Sequence, residues 1–167
     1  MYNVGDKIVY PMHGAGIIEE ISEKEILGNK SSYYILRIPT GNITLMVPIS
    51  SAEQIGVRSV VCPEVIDKLL IHVRNCEISM NTNWNKRYRE NMEVIKKGEL
   101  FEIVVIYKYL VLREREKGLS SGEKKMLMSA KQIIVSEIIL SKGMERDAAE
   151  NLLLEEALHN LLLKEEF

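Results

Sequence analysis

The chain is poor in several things, and each shortage narrows what it can be. Cysteine occurs twice in 167 residues, as Cys62 and Cys76, with no CxxC pair and no histidine-rich neighbourhood. That usage argues against a disulfide framework or a thiolate zinc site and suits a reducing compartment. The three histidines, His13, His72 and His159, share no spacing that would gather them around a metal. No apolar run approaches the roughly 20 residues needed to cross a bilayer. The longest, Ile103–Tyr107 and Tyr109–Leu112, are separated by Lys108. The opening residues, Met1-Tyr2-Asn3-Val4-Gly5-Asp6, carry neither a basic leader nor an apolar segment, so a cytoplasmic protein with no membrane contact is expected.

Catalytic motifs are missing as well. His13-Gly14-Ala15-Gly16 superficially suggests an oxyanion loop or a fragment of a dinucleotide-binding turn. No third glycine opens a helix behind it, and no serine or cysteine lies in a nucleophile motif. A non-enzymatic protein with no cofactor and no metal is expected.

What is present is a chain of two characters. Hydrophobic residues make up 46% and charged residues 28%, enough for a folded core. The net charge of −2 is unevenly spread. Residues 1–83 hold seven Lys/Arg against nine Asp/Glu, residues 84–131 twelve against seven, and residues 132–167 three against eight. A basic middle segment of +5 therefore lies between parts of −2 and −5. Such a segment is either a solvated helical surface or a footprint for phosphate.

The first sixty residues read as short strands. Val4–Tyr10, Ile17–Ile21, Ser32–Ile38 and Ile43–Val47 are separated by turns at Gly14-Ala15-Gly16, Gly28-Asn29-Lys30 and Pro39-Thr40-Gly41-Asn42. In the last strand Ile43, Leu45 and Val47 fall on one face, Thr44 and Met46 on the other. Strands at this spacing suggest a small barrel. From Pro63 the period is helical, with proline and Glu64 in a favourable first turn. Asn75–Asn83 is polar and reads as a linker. Four further helices are expected: about 84–97, 99–117, one capped by the Ser120-Ser121-Gly122-Glu123 box, and about 145–163. The fold class is thus α+β with two domains: a β-barrel over residues 1–62, a helix and linker over 63–83, and a compact all-α bundle over 84–167.

Trp84 is the single tryptophan. On a helix it shares a stripe with Tyr88, Met92 and Ile95, while Lys86, Arg89, Lys96 and Lys97 cluster opposite and Arg87 lies at the flank. Two readings stand side by side. Trp84 closes the core as a staple, or it overhangs the core from the first turn and enters a weakened base step beside basic side chains.

Three segments resemble one family. Val4–Gly16 is similar to the opening of the CarD/CdnL transcription regulators, whose first domain is similar to the polymerase-interacting domain of transcription-repair coupling factor. Thr82–Tyr88 and Arg115–Leu127 resemble the two hallmark segments of the family's second domain. The resemblance implies a Tudor/SH3-like barrel that binds the RNA polymerase β subunit, partly through an exposed strand. It also implies a monomeric regulator whose helical domain meets promoter DNA in the minor groove at the upstream edge of the bubble and stabilises the open complex. By position, the DNA-binding residues are Trp84, Lys86, Arg87, Arg89 and Lys124. The polymerase-binding residues are Lys24, Leu45, Met46 and Val47, with Met46 where the family leads one to expect arginine. The alternative is an adaptor that recruits another protein to RNA polymerase without touching DNA.

Overall fold

A computed structural model describes residues 1–166. The N-terminal part is a five-stranded antiparallel sheet. Its strands are β1 (Lys7–Tyr10), β2 (Gly14–Ile26), β3 (Asn29–Ile38), β4 (Ile43–Pro48) and β5 (Arg58–Ser59), in the order β4-β3-β2-β1-β5. β2 runs five residues past the expected Ile21, because the β2–β3 turn sits at Leu27-Gly28, both in the left-handed region (φ 53° and 79°). Two such residues in succession make the tight turn whose twist matches paired strands, which is why glycine belongs there. Register then follows: Leu36 lies opposite Ile18 on one side and Leu45 on the other. Ile8, Ile18, Tyr34, Leu36, Ile38 and Val47 make the buried face. A short helix α1 (Ala52–Ile55) and β5, which pairs with β1, carry the chain back across the sheet.

Five helices follow: α2 (Pro63–Asn75), α3 (Trp84–Lys97), α4 (Leu100–Glu116), α5 (Ser121–Lys142) and α6 (Arg146–Glu165). α4 is buried on most sides through Ile103, Val104, Ile106, Leu110 and Val111. α2 packs into the same core with Ile66, Leu69 and Val73 rather than standing apart with the linker. Lys108, the charge that interrupts the apolar run, is buried. Its ammonium donates to the carbonyls of Arg74 (3.1 Å) and Cys76 (3.0 Å), satisfying acceptors at the C-terminal end of α2. Arg74 in turn meets Glu156 of α6 through two hydrogen bonds of 2.6 and 2.8 Å.

The sheet and the helices meet along α5. Gly14 takes φ 115°, and a Cβ there would lie 2.6 Å from Ser136 Oγ. Glycine thus permits both the backbone conformation and the approach of the helix. The amide of Ala15 donates to Ser136 Oγ (2.9 Å), and Gln132 Nε2 donates to the His13 carbonyl (2.7 Å). The His-Gly-Ala-Gly segment is therefore a packing joint. Beside it Glu137, fully buried, accepts from both terminal nitrogens of Arg58 (2.6 and 3.0 Å) and from the Val61 amide (3.1 Å). Lys7 Nζ reaches the Leu140 carbonyl, and Ser141 Oγ the Val61 carbonyl.

Arg58→Ala leaves a buried carboxylate with one backbone donor. We expect a loss of about 3 kcal/mol in unfolding free energy, measured by denaturant titration. The Arg74–Glu156 pair gives a pH signature. Hydrogen bonds from Arg74 hold the Glu156 carboxyl below its ordinary 4.5 against the opposing effect of burial. A carboxyl whose folded pKa is depressed stabilises fully above its unfolded value and loses that contribution as pH falls through the folded one. Arg74→Ala should therefore lower the melting temperature at neutral pH, with a difference from wild type that shrinks as pH drops below 4.5.

Candidate nucleic-acid interface

α3 starts where its sequence says it should. The Asn83 side chain accepts from the Lys86 amide (3.1 Å) and caps the helix, and Gly98 ends it in the left-handed conformation. Trp84 is thereby the first helical residue. Its ring lies parallel to that of Tyr88, one turn on, with centroids 5.3 Å apart and planes 16° apart. Tyr88, Met92 and Val94 pack against the helical core, and Ile95 is part of it. Trp84 stays 42% exposed. One part of the indole stacks on Tyr88, which packs against the core, and the rest is open to solvent.

The second support of the ring comes from α5. Ser120 and Glu123 form the capping box foreseen in the sequence: the Glu123 amide donates to Ser120 Oγ (3.2 Å), and the Ser120 amide donates to Glu123 Oε1 (3.4 Å). The same Oε1 accepts from Ser120 Oγ (3.1 Å) and, in a long hydrogen bond, from the indole Nε1 of Trp84 (3.4 Å). Arg113 Nε approaches Oε2 at 3.1 Å, an ion pair whose atoms do not align as a hydrogen bond. Burial of Glu123 disfavours its charge. The Ser120 hydroxyl and amide, the indole N–H and Arg113 together outweigh that, and the carboxyl sits below its ordinary value. Gly122 completes the fit, since a Cβ there would meet Tyr88 Cε2 at 3.3 Å and Trp84 Cζ2 at 4.0 Å.

The sequence-derived contacts divide sharply. Lys86, Arg89 and Lys124 are exposed around the ring-bearing helix starts. Arg87 is not. Only 7% exposed, it donates from Nη1 to the Asn81 carbonyl (3.0 Å), and its guanidinium carbon stands 5.7 Å above the Tyr109 ring. It ties the 76–83 connection to α4, and a phosphate would have to displace both partners. Sequence reasoning missed Arg113 and Lys117, which line a groove of about 520 Å³ beside Trp84 with Asn81, Thr82 and Tyr109. Their place at the C-terminal end of the central helix was the available signal.

On the sheet, β4 is the terminal strand, so one side of its backbone is free of sheet partners. Met46 and Lys24 are exposed. Val47 is fully buried and Leu45 half-buried against the same core, so their side chains face inward. Among the described residues no group of three or more His, Cys, Asp or Glu could hold a metal ion. No described helix is long and apolar enough to cross a membrane.

Two family models match the chain: the CarD-like/TRCF RID domain over residues 2–61 and the CarD C-terminal domain over residues 68–154. The chain is also 38% identical over 143 residues to the "Putative transcription factor YdeB" of Bacillus subtilis (strain 168), a match covering 86% of this chain and 94% of that protein. The long sheet with a free terminal strand, the joint along α5 and the capped tryptophan helix thus belong to a member of the CarD family, whose proteins are transcription factors that work through RNA polymerase and not enzymes.

Proposed function

We propose that this protein binds the RNA polymerase β subunit through the β4 edge and stabilises the open promoter complex by placing Trp84 in the DNA minor groove at the upstream edge of the bubble. In this reading residues 1–62 are a Tudor-like barrel domain, the helices from α2 onward form the DNA-binding domain, and the protein acts as a monomer. The observation that carries it is the half-exposed indole of Trp84, fixed at a helix start amid Lys86, Arg89 and Lys124. A flat aromatic wedge inserted at a weakened step costs unstacking energy, which phosphate contacts from flanking cations offset. Arg87 acts from beneath, holding the connection against Tyr109. On the polymerase side, strand addition to β4 supplies backbone hydrogen bonds, and Met46 supplies apolar contact where a cation would give an ion pair.

Trp84→Ala should leave binding to the β subunit unchanged and shorten the half-life of the open complex, followed by competitor challenge of preformed complexes. An unchanged half-life sinks the wedge. Footprinting with and without the protein separates this reading from recruitment of another factor, since only direct DNA contact adds protection at the upstream edge of the bubble. Removing Lys86, Arg89 or Lys124 one at a time should weaken the salt dependence of DNA association by about 0.9 in the log–log slope per lost duplex phosphate contact. Arg87→Lys should leave that slope in place while lowering thermal stability.

A further inference from the structure

Trp84 is held from two directions, and the second is the less expected. Stacking on Tyr88 restrains the plane of the ring but leaves it free to slide and turn about its own normal. Only a directional contact at the edge removes that freedom, and the only polar atom on the edge is Nε1. It points at Glu123 Oε1 across the α3–α5 boundary, 39 residues away in sequence. Glu123 is itself tied down: it is buried, closed into the capping box by the Ser120 hydroxyl and both backbone amides, and paired with Arg113. Among the described residues its Oε2 has no hydrogen-bond donor of its own, so the carboxylate serves the cap and the indole through a single oxygen.

A capping box needs only an acceptor at its third helical position, and glutamate or glutamine serves equally. Two features exceed that need. Gly122 leaves room at the helix start for the Tyr88 ring on which Trp84 stacks, where a Cβ would stand 3.3 Å from Cε2. The acceptor is also turned so that one oxygen takes the indole N–H as well as the serine. We propose that Glu123 is a positioning residue that locks the indole of Trp84 in the orientation in which it meets DNA, so that the start of α5 aims a side chain carried by α3. This assignment rests on the wedge reading for its consequence in transcription, but the lock itself is a property of the free protein.

Because Trp84 is the single tryptophan, its fluorescence reports the lock directly in the full-length chain. Glu123→Ala should lower the steady-state anisotropy of Trp84 and move its emission to the red. It should also shorten the open-complex half-life roughly threefold to tenfold, the scale of one ordinary intramolecular hydrogen bond. Glu123→Gln keeps an acceptor at the same reach and should restore both the anisotropy and most of the half-life. Ile66→Val, a buried substitution on α2, supplies a destabilised comparison in which the anisotropy should stay at the wild-type value. Unchanged anisotropy and emission in Glu123→Ala would overturn the lock. So would a glutamine variant as mobile as the alanine one. If Glu123→Ala frees the ring yet leaves the half-life intact while Trp84→Ala shortens it, Glu123 does not position Trp84 for function. If Trp84→Ala has no effect on the half-life, the wedge fails on its own account, and the lock still stands or falls on the fluorescence.

Discussion

Glu137 has no contact with solvent, and a carboxylate in that position is tolerable only if charge and hydrogen bonds reach it. Arg58 and the amide of Val61, both from the chain leaving the sheet, supply them. The helical part therefore cannot relax away from the sheet without stranding a buried charge. The neighbouring contacts are of the same kind: Ser136 on the Ala15 amide, Lys7 on the Leu140 carbonyl, Ser141 on the Val61 carbonyl. All sit on the C-terminal half of one helix. The N-terminal turn of that helix holds Glu123, and through it Trp84. At 1.5 Å per residue, the fourteen residues from Glu123 to Glu137 span about 21 Å of continuous helix. The sheet and the tryptophan ride on one rod.

On the proposed reading this arrangement has a mechanical consequence. A partner gripping the β4 edge fixes the sheet, the joint fixes α5, and α5 fixes the ring. DNA at the polymerase then meets the indole at a high effective concentration, and a contact too weak to form in free solution becomes intramolecular. The charge distribution suits such conditional binding. A net charge of −2 and an acidic C-terminal segment give the chain as a whole no net electrostatic pull on phosphate. Its basic segment is confined to the elements that surround Trp84.

How much of this was legible in the sequence depends on the range of the physics involved. Pro63, the Ser120–Glu123 box and Gly98 mark helix ends by rules that act within one turn, and the helices lie within a residue or two of where those signals place them. Alternation in Ile43–Val47 likewise gave the inward side chains, Ile43, Leu45 and Val47. The joint is another matter. Arg58 and Glu137 are 79 residues apart, β5 is two residues long, and nothing local announces their meeting. One signal was available: Ile133-Ile134-Val135-Ser136-Glu137-Ile138-Ile139-Leu140 contains a serine and an acid that interrupt an otherwise apolar run and demand partners. The burial of Arg87 was hidden for the same reason. Helical periodicity placed it at the flank of the basic face, and only the return of the 76–83 connection covers it.

The tension between a core staple and a tool also dissolves at this level. A tryptophan free on the surface would have to lose its rotamer freedom on meeting DNA, and that entropy would be subtracted from a contact of modest strength. A tryptophan wholly in the core would have nothing to offer. Half-burial against Tyr88 charges the ordering to folding, where a large helical core already meets it, and leaves the outer part of the ring unencumbered. The apolar stripe of α3 and the exposure of Trp84 are therefore parts of one solution. On the proposed reading, the stripe that argues for a structural role is also what orders the ring for a functional one.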